Sequence, residues 1–131
     1  MFDTYIYLTM DKKNKYILLK CIKFAKDKLK VTTQFTLKPC ETREELKTYA
    51  YYDPANHILA VYVKNRGLAD ICRSFIHELV HHKQNEEGRV EKKNQDIGGE
   101  IEDEANSKAG SIIKEFSYKL LNEEKIDIYE L

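Results

Sequence analysis

From Asn14 to Lys30 the apolar residues Ile17, Leu18, Cys21, Ile22, Ala25 and Leu29 fall three and four apart, with lysines filling the gaps. That spacing predicts a helix with one core-facing stripe and a solvated opposite face. Val31 to Leu37 (VTTQFTL) is β-branched and aromatic, which predicts a strand ended by Pro39. Tyr49 to Tyr52 and Ile58 to Val63 predict two more strands, turned at Asp53-Pro54-Ala55-Asn56. Residues 2–9 alternate enough for a short strand, and Thr42-Arg43-Glu44-Glu45 is a capping box that would open a short helix at Arg43.

Two longer helices follow. From Leu68 to about Glu86 a wide stripe runs through Leu68, Ile71, Cys72, Phe75, Ile76, Leu79 and Val80, with Gly88 as its stop. Gly98-Gly99 breaks the chain. A second helix is expected from about Glu100 to Leu121, with Ala105, Ala109, Ile112, Ile113, Phe116 and Leu120 inward. The tail from Ile126 to Leu131 reads as a short strand or a mobile end. A helix, a small mixed sheet of three or four strands and then two helices make one α+β domain over residues 1–131.

Composition narrows the partners. A chain of 131 residues with 42% hydrophobic and 34% charged content fits a soluble globular domain. Lys plus Arg and Asp plus Glu both number 22, so charge gives no case for nucleic acid or an anionic membrane. The early lysines, Lys12 to Lys30, read as the wet face of the first helix. Cys21, Cys40 and Cys72 form no CxxC pair and read as buried free thiols of a reducing compartment. Met1-Phe2-Asp3-Thr4 lacks the basic start of a signal peptide, and no run of about 18 apolar residues could span a membrane. The expected location is the cytoplasm.

The chemistry concentrates in His77-Glu78-Leu79-Val80-His81, an HExxH box within the expected helix. Imidazoles at i and i+4 share a helix face and can reach one cation, and Glu78 stands beside it as a base for a metal-activated water. His82 points about 100° away from His81 and is not expected to be a ligand. Zinc needs a third protein ligand. In the extended form HExxHxxGxxH, Gln84 replaces the turn glycine and Glu87 the last histidine, which disfavours that form. The better source is Glu102, some twenty residues past His81, on a helix that can return alongside the first. Asn106, one turn on, could reach a histidine ring from behind. Glu100, Asp103 and Glu104 read as ordinary acidic residues of a first turn, favoured by the helix dipole.

HELVH, a spacer near twenty residues and then E-x-x-A-N resembles the gluzincin metallopeptidases, particularly the minigluzincins and the ImmA/IrrE-type peptidase domains. The resemblance covers about residues 57–117. It implies a zincin-like fold, Zn2+ held by His77, His81 and Glu102, Glu78 as general base and Asn106 as a ligand-orienting residue. Many relatives have Asp in place of Asn106, which would add a charge that Asn lacks. Larger relatives also have a later helical subdomain that supplies a His or Tyr for the oxyanion, and here only a short tail follows Leu121. Tyr51, Tyr52, His57 and Tyr129 read as packing or surface aromatics, not as that donor.

The expected function is zinc-dependent hydrolysis of a peptide or protein substrate, with Ile58–Val63 as the rim strand. A latent form would carry residues 1–13 or 123–131 across the site. The rival expectation is a regulatory or interaction module that holds zinc structurally. A third is coincidence, with the histidines as polar positions on a core helix.

Overall fold

The computed structural model describes residues 10–42, 48–90 and 99–131. The strand expected over residues 2–9 and the helix expected from Arg43 lie outside these. The first helix, α1, spans Lys12–Leu29, and Asp11 caps it by accepting the Asn14 N–H at 2.8 Å. Its buried residues are the six expected from spacing, Ile17 to Leu29. It ends at Lys30 in the left-handed region (φ 59°), where the Lys30 and Val31 amides fold back onto the carbonyls of Asp27 and Lys26.

Three short strands follow among the described residues: β1 (Thr36–Cys40), β2 (Ala50–Asp53) and β3 (Ile58–Tyr62). Their order is β1-β3-β2, with β1 parallel and β2 antiparallel to β3. The β2–β3 turn is held by Asp53, whose Oδ1 accepts the Ala55 and Asn56 amides at 2.9 and 3.2 Å.

Three expectations change here. The first strand starts at Thr36, not Val31, because the Glu86 carboxylate captures the amides of Thr32 (2.9 Å) and Thr33 (2.6 Å) and holds that stretch as a loop. Pro39 does not end the strand. It pairs with Val61 inside β1, whose other side is an edge of the sheet among the described residues. Because Thr36 donates to His57 and Cys40 accepts from Val63, Pro39 turns its donor-less nitrogen away from β3. And β3 is the central strand, so it is no rim; the edge nearest the site is β2.

The second helix, α2, spans Leu68–Glu86, and the third, α3, spans Gly99–Glu124. α2 is the hub, touching α1, α3, β2 and β3. Phe75, Ile76 and Leu79 of α2, Leu18 and Ile22 of α1, Leu37 and Leu59 of the sheet and Phe116 and Leu120 of α3 are fully buried together. Ala105 and Ala109 are buried on α3, and small side chains there let its backbone approach α2 closely. Cys21 and Cys72 meet between α1 and α2 as buried free thiols, and burial pushes the Cys21 thiol well up. Cys40 is only half-buried.

The tail forms neither a strand nor a loose end. Asp127 caps a 3-10 turn at Ile128–Glu130, Ile128 is 1% exposed, and the Leu131 carbonyl accepts the Leu68 N–H at 2.9 Å. The Leu68 N–H is one of the amides a helix start leaves without an intrahelical partner, and the tail supplies its acceptor. The chain is an α+β domain of three helices and a small mixed sheet among the described residues, and none of its described helices is long and apolar enough to cross a membrane.

Candidate metal centre

His77 and His81 stand one turn apart on the α2 face that meets α3, so the helix itself aims both rings at the same point. The rings meet edge to face, with centroids 4.8 Å apart and planes at 82°. Their Nε2 atoms lie 3.2 Å apart. Glu102, in the first turn of α3, brings one carboxylate to both: Oε1 is 3.0 Å from His77 Nε2 and Oε2 is 2.8 Å from His81 Nε2. Two imidazole nitrogens and a carboxylate oxygen, all within 4.8 Å of one another, form a group that could hold a metal ion.

The His81 ring is held from behind by Gln84. The Gln84 Oε1 accepts the Nδ1–H at 2.8 Å, which leaves Nε2 as the lone-pair side facing Glu102. The Gln84 amide then donates to the Ile101 carbonyl (3.1 Å) and to Glu104 (2.7 Å), which also receives Arg89 at 2.9 Å. Gln84 thus sets a ring and fastens α2 to the turn that carries Glu102. The HExxHxxGxxH comparison marks this position only as a missing glycine. The usable signal was its spacing, three residues after His81 on the same face. Glu104, read as an ordinary first-turn acid, belongs to the same brace.

His77 is held below the usual histidine range, by burial first and by the neighbouring His81 second, against the opposing pull of Glu102 and of a hydrogen bond from the ring to Asn106. A neutral imidazole is the ligating form. Asn106 therefore touches a histidine ring, as its spacing suggested. Glu78 is buried, with its Oε2 3.9 Å from His77 Nε2. Burial, and after it the Glu102 charge, push its carboxyl up to about 8, close to the range where a general base works best. A cleft of about 140 Å³ opens beside these groups, lined by Ala50, Asp70, Arg73, Ser74, His77, Glu78, Asn106 and Ala109.

His82 faces elsewhere, as expected. It is fully buried, bonded by the Tyr52 hydroxyl at Nδ1 and the Thr33 hydroxyl at Nε2, both at 2.8 Å, with His57 packed edge-on at 5.1 Å. Tyr52 and His57 belong to that second cluster, while Tyr51 and Tyr129 are exposed. None of the four lines the cleft. Glu87, the position of the third histidine in the extended motif, is exposed at the end of α2 and pairs with Arg89. The terminal turn lies at the start of α2, away from the cleft.

No protein-family model matches this chain, and no curated protein or solved structure does either.

Proposed function

We propose that this chain is a zinc-dependent peptidase of the gluzincin type on a zincin-like fold. The observation that carries the reading is the Glu102 carboxylate, which comes from a separate helix to within 3.0 Å of both HExxH nitrogens. The donor set of two histidines and one glutamate suits Zn2+. When bound, zinc supplies Lewis acidity, which polarises the scissile carbonyl and brings the pKa of water toward neutrality.

The chain's own residues do the rest. His77, His81 and Glu102 hold the ion, and Gln84 and Asn106 fix the two rings. Glu78 takes a proton from the attacking water and delivers it to the nitrogen of the breaking C–N bond, so that an acid and an amine leave. The substrate is a peptide or protein lying in the cleft between α2 and α3. The outer edge of β2, which brings Ala50 to the cleft, offers backbone groups to an extended segment. The buried free thiols Cys21 and Cys72 suit a reducing, cytoplasmic setting.

One observation favours a second reading, a module that holds zinc without turnover: among the described residues, no tyrosine and no third histidine lines the cleft to receive an oxyanion. A single experiment separates the two. Zinc-loaded wild type and Glu78→Gln are incubated with a mixed peptide library, and zinc content is measured in parallel. The peptidase reading expects cleavage by wild type only and one zinc in both. Zinc in both with cleavage by neither selects the module, and no zinc in either ends both readings.

A further inference from the structure

The cleft contains one cation with nothing to hold. Arg73 forms no hydrogen bond or ion pair among the described residues, although it lines the cleft with Glu78 and His77. The nearby Arg66 is the contrast. Its guanidinium is 9% exposed and fully engaged, by Asp70 at 2.7 Å, the Tyr62 carbonyl at 2.6 Å and Ser74 at 2.7 Å. That engagement also neutralises Asp70, the other charged residue on this side of the cleft. Arg73 lies one turn before His77 on the same face, about 6 Å along the helix. Its Nη2 would be 3.8 Å from a Cβ at Gly110, so the guanidinium reaches across the groove to α3.

From this placement we infer that Arg73 is a specificity residue that binds a carboxylate of the peptide substrate, one turn of α2 away from the hydrolysed bond. The inference rests on the peptidase reading and names its substrate class: peptides with an acidic side chain or a free C-terminal carboxylate near the cut. A guanidinium offers parallel N–H donors that match the two oxygens of a carboxylate, and Arg73 is exposed to a group entering the cleft. A single positive charge matches a singly charged anion.

The test uses the zinc-loaded full chain and short peptide hydroxamates, which bind without being cleaved. Three probes share one sequence: one with Glu scanned through its positions and an amidated end, one with Gln instead and a free C-terminal carboxylate, and one with Gln and an amidated end. The readout is the affinity ratio of each carboxylate probe to the neutral one. Wild type is expected to prefer one carboxylate probe by about tenfold. Which probe wins tells a side-chain carboxylate from a terminal one. The ratio should fall to about one in Arg73→Gln and below one in Arg73→Glu, with zinc content retained. Equal binding of all three by wild type overturns the inference alone. So does a ratio that survives Arg73→Gln, including the case where that variant weakens every probe by the same factor, as an oxyanion donor would. If zinc is bound and no hydroxamate binds, the peptidase reading fails and this inference fails with it.

Discussion

Gln84 accepts the Nδ1–H of His81 at 2.8 Å and spends its own amide on the Ile101 carbonyl and Glu104, so one side chain fixes a metal-facing ring and the adjacent helix together. Both functions fail in Gln84→Ala. Zinc affinity should fall by about 10- to 100-fold, the usual effect of removing the partner behind a ligating histidine. Competition against a chromophoric chelator reads it. Unchanged affinity would mean that His81 needs no support from Gln84.

Glu102 supplies the anionic donor, and Glu102→Gln keeps its shape while removing the charge. Zinc affinity should drop by more than in Gln84→Ala, while the circular dichroism of the metal-free chain stays the same. Glu102→Asp, one methylene shorter, should fall between wild type and Glu102→Gln. A chain that loads zinc equally well in all three forms has a different third ligand.

Glu86 gives the fold an acid-labile contact away from the metal group. Burial would raise its carboxyl, but the hydroxyl and amide of Thr33, the amide of Thr32 and the nearby His82 outweigh that and hold it at about 2. A depressed carboxyl adds stability that is present above its unfolded value, near 4.5, and is lost as pH falls toward 2. The loss should be on the order of 2 kcal/mol. Glu86→Gln should be less stable than wild type at pH 7, with the difference shrinking as pH falls below about 4.5 and small only near pH 2, by urea denaturation at each pH.

The terminal turn should matter to the metal helix although it lies at the other end of it. Ile128 is 1% exposed, and Ile128→Ala should cost about 2 to 4 kcal/mol. Removing residues 126–131 should cost at least as much, because the Leu68 amide also loses its acceptor. Chemical denaturation of both variants checks this. If neither lowers stability, the turn does not hold the start of α2.

Where a feature depended on spacing within one helix, it was legible in the sequence. The stripes of α1 and α2, the shared face of His77 and His81 and the turning of His82 away from that face all follow from the 3.6-residue repeat. Glu102 was legible because its motif pairs with HExxH. Features set by contacts between elements were not. Thr32 and Thr33 have the composition of a strand, yet a carboxylate from α2 takes their amides and delays the strand to Thr36. Pro39 reads as a stop until the sheet order places it on an edge. Ile126 to Leu131 has too few residues to show a period, and its turn rests on the burial of Ile128 and the bond to the start of α2, both of which form only in the fold. For Gln84, a comparison with the three-histidine motif obscured the simpler geometric signal.

Consecutive residues of α2, His81 and His82, are held toward different elements: His81 by Gln84, whose amide bonds the Ile101 carbonyl and Glu104 of α3, and His82 by Tyr52 and Thr33 toward the sheet. A helix held at two azimuths about 100° apart cannot roll about its own axis without breaking one grip. The torsional setting of the site is therefore helped by buried hydrogen bonds on another face of the helix. An ion that bound the group would meet rings already turned to receive it, and its binding free energy would not be consumed in rotating the element that carries them.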